Sequence, residues 1–137
     1  MAGAYSPKVI DHAINPRNAG ALGNADGFAR IKGACGDTMD IWIKVEGDAI
    51  VRAGFMTDGC STSVACGSMA TELAKGKTIG EVLRISQQDI LDNLDGLPDG
   101  SEHCAVLAAS TIRAAIKDYL ATRNEPWKKA YRNDGFQ

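Results

Sequence analysis

Met39-Asp40-Ile41-Trp42-Ile43-Lys44-Val45-Glu46-Gly47-Asp48 reads as a strand running into a tight turn. Met39, Ile41, Ile43 and Val45 share one face and Asp40, Trp42, Lys44 and Glu46 the other, the period-two pattern of a strand with one buried side. Glu46-Gly47-Asp48 offers a hairpin turn, with glycine free to take positive φ. Beyond it, residues 49–56 form another strand, with Val51, Ala53 and Phe55 expected on one face. Upstream, residues 27–33 form a third and weaker strand around Phe28 and Ile31. Consecutive strands with short connections imply an antiparallel sheet.

The pattern turns helical on both sides. From Ser61 onward Cys66, Met69, Ala70 and Leu73 follow i, i+3, i+4, i+7, a buried stripe that Gly76 ends. Residues 78–83 and 86–94 read as two short helices capped by Thr78 and Ser86, the second without the acid at N3 that completes a capping box. Ser101 caps the longest helix, which runs to about residue 123 with Val106, Ala109, Ile112, Ile116 and Tyr119 on one stripe. Near the start, residues 5–14 form a helix with Ser6 as cap and Pro7 in its first turn, ended by Asn15 before Pro16. Residues 1–4 are expected to fray, and the tail 124–137 to fray or pack back. Strands first and helices after predict an α+β fold. The expectation is a single domain over 1–137, with a core of about 5–123, in which helices pack on one face of a three-stranded antiparallel sheet.

At 137 residues, with 45% hydrophobic and 23% charged residues, the chain can bury a real core. Its net charge of −2 lacks the basic excess of a nucleic-acid binder. No apolar run nears the roughly 18 residues of a membrane span, and no signal peptide precedes Tyr5. The expected location is therefore cytoplasmic, and a reducing compartment favours metal or thiol chemistry over disulfides for the four cysteines.

Three of those cysteines sit in turns. Gly33-Ala34-Cys35-Gly36-Asp37 joins the first two strands, with Asp37 able to offer a carboxylate oxygen beside the Cys35 sulfur; the bland alternative is a hairpin with an incidental cysteine. Asp58-Gly59-Cys60-Ser61 leads into a helix, whose N-terminal partial charge favours a thiolate; the alternative is a plain turn with a small buried residue. Leu97-Pro98-Asp99-Gly100-Ser101-Glu102-His103-Cys104 places His103 and Cys104 in the first turn of the longest helix, where the same dipole argument makes Cys104 a reactive or ligating sulfur. Neighbours on a helix diverge by about 100°, so His103 and Cys104 suit co-ligation of one centre better than a nucleophilic dyad. Cys66 lies mid-helix on the apolar stripe and reads as a packing residue. His12 reads as a surface or loop-packing histidine. Asp89, Asp92, Asp95 and Asp99 lack the calcium-loop pattern and read as caps and a solvated face. The glycine-rich segments match neither dinucleotide nor phosphate-loop spacing.

Thiolates select zinc, copper(I) or iron–sulfur clusters, and the absence of C-x₂-C pairs argues against a zinc finger. The chain resembles the iron–sulfur cluster scaffold family, IscU and the N-terminal domain of NifU. The resemblance is carried by Tyr5-Ser6-Pro7-Lys8-Val9-Ile10-Asp11-His12 with Asn15-Pro16-Arg17-Asn18, by Ala34-Cys35-Gly36-Asp37, by Thr57-Asp58-Gly59-Cys60, by residues 85–97, and by His103-Cys104 with Ala114-Ala115-Ile116-Lys117-Asp118-Tyr119. It implies that Cys35, Cys60 and Cys104 are cluster ligands, that Asp37 or His103 completes the set, and that Cys104 accepts persulfide sulfur from a cysteine desulfurase. It further implies assembly of a labile [2Fe–2S] cluster from iron, delivery to apo iron–sulfur or carrier proteins, and zinc as another occupant of the pocket. A homodimer is left open.

Two departures from the family pattern stand out. Leu97-Pro98-Asp99-Gly100-Ser101 replaces the Leu-Pro-Pro-Val-Lys motif, which counts against a dedicated Hsp70-type chaperone as partner. Cys66 stands where the family pattern suggests serine or alanine, which keeps a ligand role for it open. The scaffold reading describes a carrier rather than an enzyme. The alternative function is a zinc-bound sulfur acceptor that stimulates a cysteine desulfurase, and the lack of a long insertion between Cys60 and Cys104 counts against it. A binding module with incidental cysteines is the third.

Overall fold

A computed structural model describes residues 5–34 and 36–124. Residues 1–4, Cys35 and the tail from 125 onward lie outside the described residues. The order is α1 (Pro7–Ile14), β1 (Gly27–Lys32), β2 (Thr38–Glu46), β3 (Ala49–Thr57), α2 (Ser61–Ala74), α3 (Ile79–Val82), α4 (Gln87–Asn93) and α5 (His103–Asn124). The three strands form one sheet in the order β1-β2-β3, both pairs antiparallel.

The alternation that predicts β2 is the one observed. Met39, Ile41 and Ile43 are fully buried, and Ile41 lies in register between Ala29 and Phe55. β3 departs from expectation at its start. Lys44 pairs with Arg52 and Val45 with Ile50, so Val51 is an extra residue on β3. A bulge of one residue reverses which side chains face inward. Ile50 is therefore in the core at 0% exposure, and Val51, expected inside, stands 41% exposed. Gly47 turns the β2–β3 hairpin with φ +59.

The helices cover one face. α2 packs on β3, α5 packs on β1 and β2, α1 lies against α2, and α4 against α5. Two glycines let the layers approach. A Cβ on Gly67 of α2 would stand 2.5 Å from the Phe55 ring, and one on Gly27 of β1 would run into the Ala115 carbonyl of α5. The α5 end of the fold is thus set on the sheet by direct backbone contact.

Helix ends follow from their caps. The Ser6 hydroxyl accepts from the Val9 N–H at 3.1 Å, with Pro7 opening α1. Thr78 and Glu81 form a capping box on α3. Ser86 and Asp89 form one on α4, which corrects the expectation that Ser86 lacks an acid partner. Counted from Ser86, Asp89 is at N3, and its carboxylate accepts the Ser86 N–H at 2.9 Å. α5 begins one residue later than expected, at His103. The Cys104 and Ala105 N–H groups bond the Ser101 and Glu102 carbonyls at 3.1 and 3.0 Å, a tighter i→i+3 turn ahead of regular helix.

His12 is buried, not a surface residue. Its Nδ1 is 2.7 Å from the Ser68 hydroxyl, which also accepts the Arg17 N–H at 2.9 Å. The pair ties α1 and the turn after it to α2. Burial, then the nearby Arg17 guanidinium, lowers the His12 pKa. Because the folded value lies below the unfolded value of about 6.5, the unfolded chain binds the proton first, and stability falls as pH drops through and below that range. The expected result is a urea midpoint that decreases from pH 7.5 to pH 5 more steeply in the native chain than in His12→Gln. Equal slopes would show that His12 is not the group responsible.

Candidate metal centre

Three connections meet at one end of the sheet. The first is the β1–β2 turn, folded by bonds from the Gly33 N–H to the Asp37 carbonyl at 2.7 Å and from the Gly36 N–H to the Gly33 carbonyl at 3.0 Å. The second is the β3–α2 connection. It is laced to the first by the Asp58 carboxylate, which accepts the Thr38 N–H at 2.7 Å, and by the Thr57 hydroxyl, which donates to the Thr38 carbonyl at 2.7 Å. The third is the start of α5. The hairpin order of the strands puts the first two side by side, and the packing of α5 on β1 and β2 brings the third over them.

Asp37, His103 and Cys104 converge there. One ligand atom from each lies within 4.8 Å of the others. Ligands at 2.0–2.3 Å from a tetrahedral ion stand about 3.3–3.8 Å apart, so the three need only close slightly on a shared metal. Cys104 Sγ is already 3.6 Å from His103 Nε2. The two side chains therefore approach more closely than their divergence along a helix suggests, because His103 opens the helix and its long ring reaches across the end.

The environment of each sulfur differs. Cys60 is the N-cap residue of α2 and is exposed. The backbone N–H of Ser63, with that of Thr62, lowers its thiol pKa against the opposing effect of partial burial. This is the electrostatic setting expected of a helix start. Cys104 is not. It is 1% exposed, and burial pushes its thiol up; the Ser63 hydroxyl opposes this, while the Cys60 and Asp37 charges add to the rise. The expectation that the helix start favours a Cys104 thiolate is corrected, because desolvation and two acidic neighbours outweigh the dipole. A cation seated among these groups would reverse that balance, since a coordinating thiol deprotonates.

Cys66 is fully buried and burial pushes its thiol far upward, in keeping with a packing role. Asp89, Asp92, Asp95 and Asp99 are exposed. Cys35 lies outside the described residues. Ser63 and Gly59 belong to the site and have no motif that announces them. The Ser63 hydroxyl donates toward Asp37 Oδ2 at 3.0 Å and Cys104 Sγ at 3.4 Å. A Cβ on Gly59 would stand 2.5 Å from the Ser63 hydroxyl and 2.6 Å from Asp37 Oδ2. The only trace of Ser63 in the sequence is its place three residues after Cys60. No helix among the described residues is long and apolar enough to cross a membrane.

Comparison with known proteins places this geometry among relatives. The iron–sulfur cluster assembly scaffold protein IscU 1 of Archaeoglobus fulgidus is 48% identical over 117 residues, covering 85% of this chain and 76% of that protein. The protein of Escherichia coli K12 described as iron–sulfur cluster assembly scaffold protein IscU is 44% identical over 125 residues, covering 88% and 97%. Two solved structures share the fold. A NifU-like N-terminal protein from Brucella abortus has a TM-score of 0.66 at 18% identity, covering 85% of this chain and 94% of that one. A putative scaffold protein for the SUF system from Fervidobacterium islandicum AW-1 has a TM-score of 0.68 at 22% identity, covering 82% and 96%. Residues 4–126 match the family described as NifU-like N terminal domain, and the chain belongs to that family.

Proposed function

We propose that this chain is an iron–sulfur cluster assembly scaffold, a carrier rather than a turnover enzyme. It builds a labile [2Fe–2S] cluster on Cys35, Cys60 and Cys104, with Asp37 or His103 completing the ligand set, and passes it to apo-proteins. The observation that carries this reading is the convergence of Asp37, His103 and Cys104, with donor atoms within 4.8 Å, beside a helix start whose N-cap is Cys60. The donor set suits the cargo. Thiolates hold iron, whereas a carboxylate or imidazole is a harder, weaker partner for a sulfide-bridged centre. A scaffold must release what it builds, and a mixed set favours release over a closed four-thiolate cage.

Sulfur arrives in this scheme as persulfide from a cysteine desulfurase. Its terminal sulfur moves to the Cys104 sulfur, the desulfurase cysteine regains a thiol, and Cys104 becomes the persulfide. The two sulfane sulfurs take up four electrons to become the two cluster sulfides; two come from the oxidation of two iron(II) to iron(III), and two are supplied in the test by a thiol reductant.

The test is anaerobic incubation with iron(II), cysteine, a cysteine desulfurase and a thiol reductant. Iron and acid-labile sulfide are then assayed, and a visible spectrum recorded. Equal iron and sulfide, with broad visible absorption that is lost in Cys60→Ala and Cys104→Ala, is the expected result. Tightly held zinc with no cluster under any condition would overturn it in favour of a sulfur acceptor.

A further inference from the structure

We infer that Ser63 is a positioning residue of this centre, whose hydroxyl holds the Asp37 carboxylate by one oxygen against the Cys104 sulfur and so presents the two as a matched, monodentate donor pair. The inference rests on the reading of Asp37 and Cys104 as ligands.

Ser63 is fully buried at N3 of α2. Its hydroxyl is 3.0 Å from Asp37 Oδ2 and 3.4 Å from Cys104 Sγ. It therefore bridges the β1–β2 turn and the start of α5 from a third element. A hydroxyl has one proton, so it donates to one of the two at a time and can accept from a Cys104 thiol while donating to Asp37.

Two buried threonine hydroxyls on these helices behave differently. Thr71 and Thr111 turn back on the carbonyls of Gly67 and Leu107, four residues earlier, at 2.8 and 2.7 Å. That is the ordinary local outlet for such groups. Ser63 instead spends its hydrogen bond on two side chains that the metal reading already names.

Two consequences follow from the geometry. With Oδ2 engaged by Ser63, Asp37 has Oδ1 left to offer, which selects monodentate over bidentate ligation. The arrangement is also closely packed, since no Cβ fits at Gly59 beside Ser63 and Asp37. Asp37, carried on a turn, is thereby held from a helix that is itself fixed between β3 and α5. Partners behind a metal ligand commonly set affinity by about 10- to 100-fold.

The test uses cobalt(II) as probe on the full chain, with affinity from chelator competition and coordination from the absorption spectrum. Alanine is a better helix former than serine, so Ser63→Ala keeps α2. Ser63→Ala is expected to weaken cobalt binding by about 10- to 100-fold. It should keep the intensity of the thiolate-to-cobalt bands and shift the d–d bands as the oxygen donor loses its orientation. The double variant Asp37→Ala with Ser63→Ala should bind no more weakly than Asp37→Ala alone, because Ser63 acts through Asp37. Additive losses, or unchanged affinity in Ser63→Ala while Asp37→Ala weakens it, would overturn the positioning role alone. Cobalt affinity unmoved by either Asp37→Ala or Cys104→Ala would overturn the ligand reading and this inference with it.

Discussion

Cys104→Ala is expected to abolish metal retention at this centre while leaving the fold in place. Losing a partner behind a ligand already costs about 10- to 100-fold in affinity, so loss of a thiolate ligand should cost at least ~100-fold. The effect on stability is expected to be small for a specific reason. Cys104 is 1% exposed, but its thiol faces Ser63, His103 and the acidic neighbours Asp37 and Cys60 rather than apolar side chains alone. Alanine removes one sulfur and leaves the backbone of α5 undisturbed, a change of about 1 kcal/mol. Zinc or cobalt bound per chain after gel filtration, set beside a urea melt of the metal-free protein, separates the two quantities. Full metal occupancy in the variant would remove Cys104 from the ligand set. A collapse of the metal-free melt would make it a packing residue instead.

The sheet was readable because one face of β2 is buried and the other is not, so the alternation from Met39 to Glu46 carries the information by itself. The same logic misplaced Val51. Parity counts residues, and a bulge adds one; nothing in Ala49-Ile50-Val51-Arg52 marks where the extra residue falls until β3 is paired with β2. The site divides the same way. Local sequence shows that Cys60 and Cys104 lie at helix starts, and for Cys60 the local dipole decides the outcome. For Cys104 it does not, because desolvation depends on α2 covering the start of α5, where Ser63 meets Cys104 across 41 residues of chain. Ser63 was invisible for that reason: its partners, Asp37 and Cys104, lie 26 residues before it and 41 after. Asp89 is legible in the sequence, since the N3 position follows from Ser86 alone.

Ile41→Ala should do the reverse of Cys104→Ala, costing stability and sparing the metal. Ile41 sits at the middle of the central strand, fully buried, with Ala29 and Phe55 beside it in register. Strands on both sides and helices above restrict collapse into the space that alanine leaves, and such sites lose about 2–5 kcal/mol. Against a total of about 5–15 kcal/mol for a domain, that is a large fraction. With a urea slope of about 1–3 kcal/mol per molar, the midpoint is expected to fall by about 1–3 M with the slope unchanged. Ile41 lies on the strand that carries Asp37 at its head, yet three residues along a hydrogen-bonded ladder separate the cavity from the turn. The folded fraction should therefore bind cobalt as tightly as the native chain. A variant that loses cobalt affinity at concentrations where it is fully folded would show that the donor positions depend on the packing of the whole sheet. The geometry at Asp37, Ser63 and Cys104 would then not be set locally by the three connections that meet there.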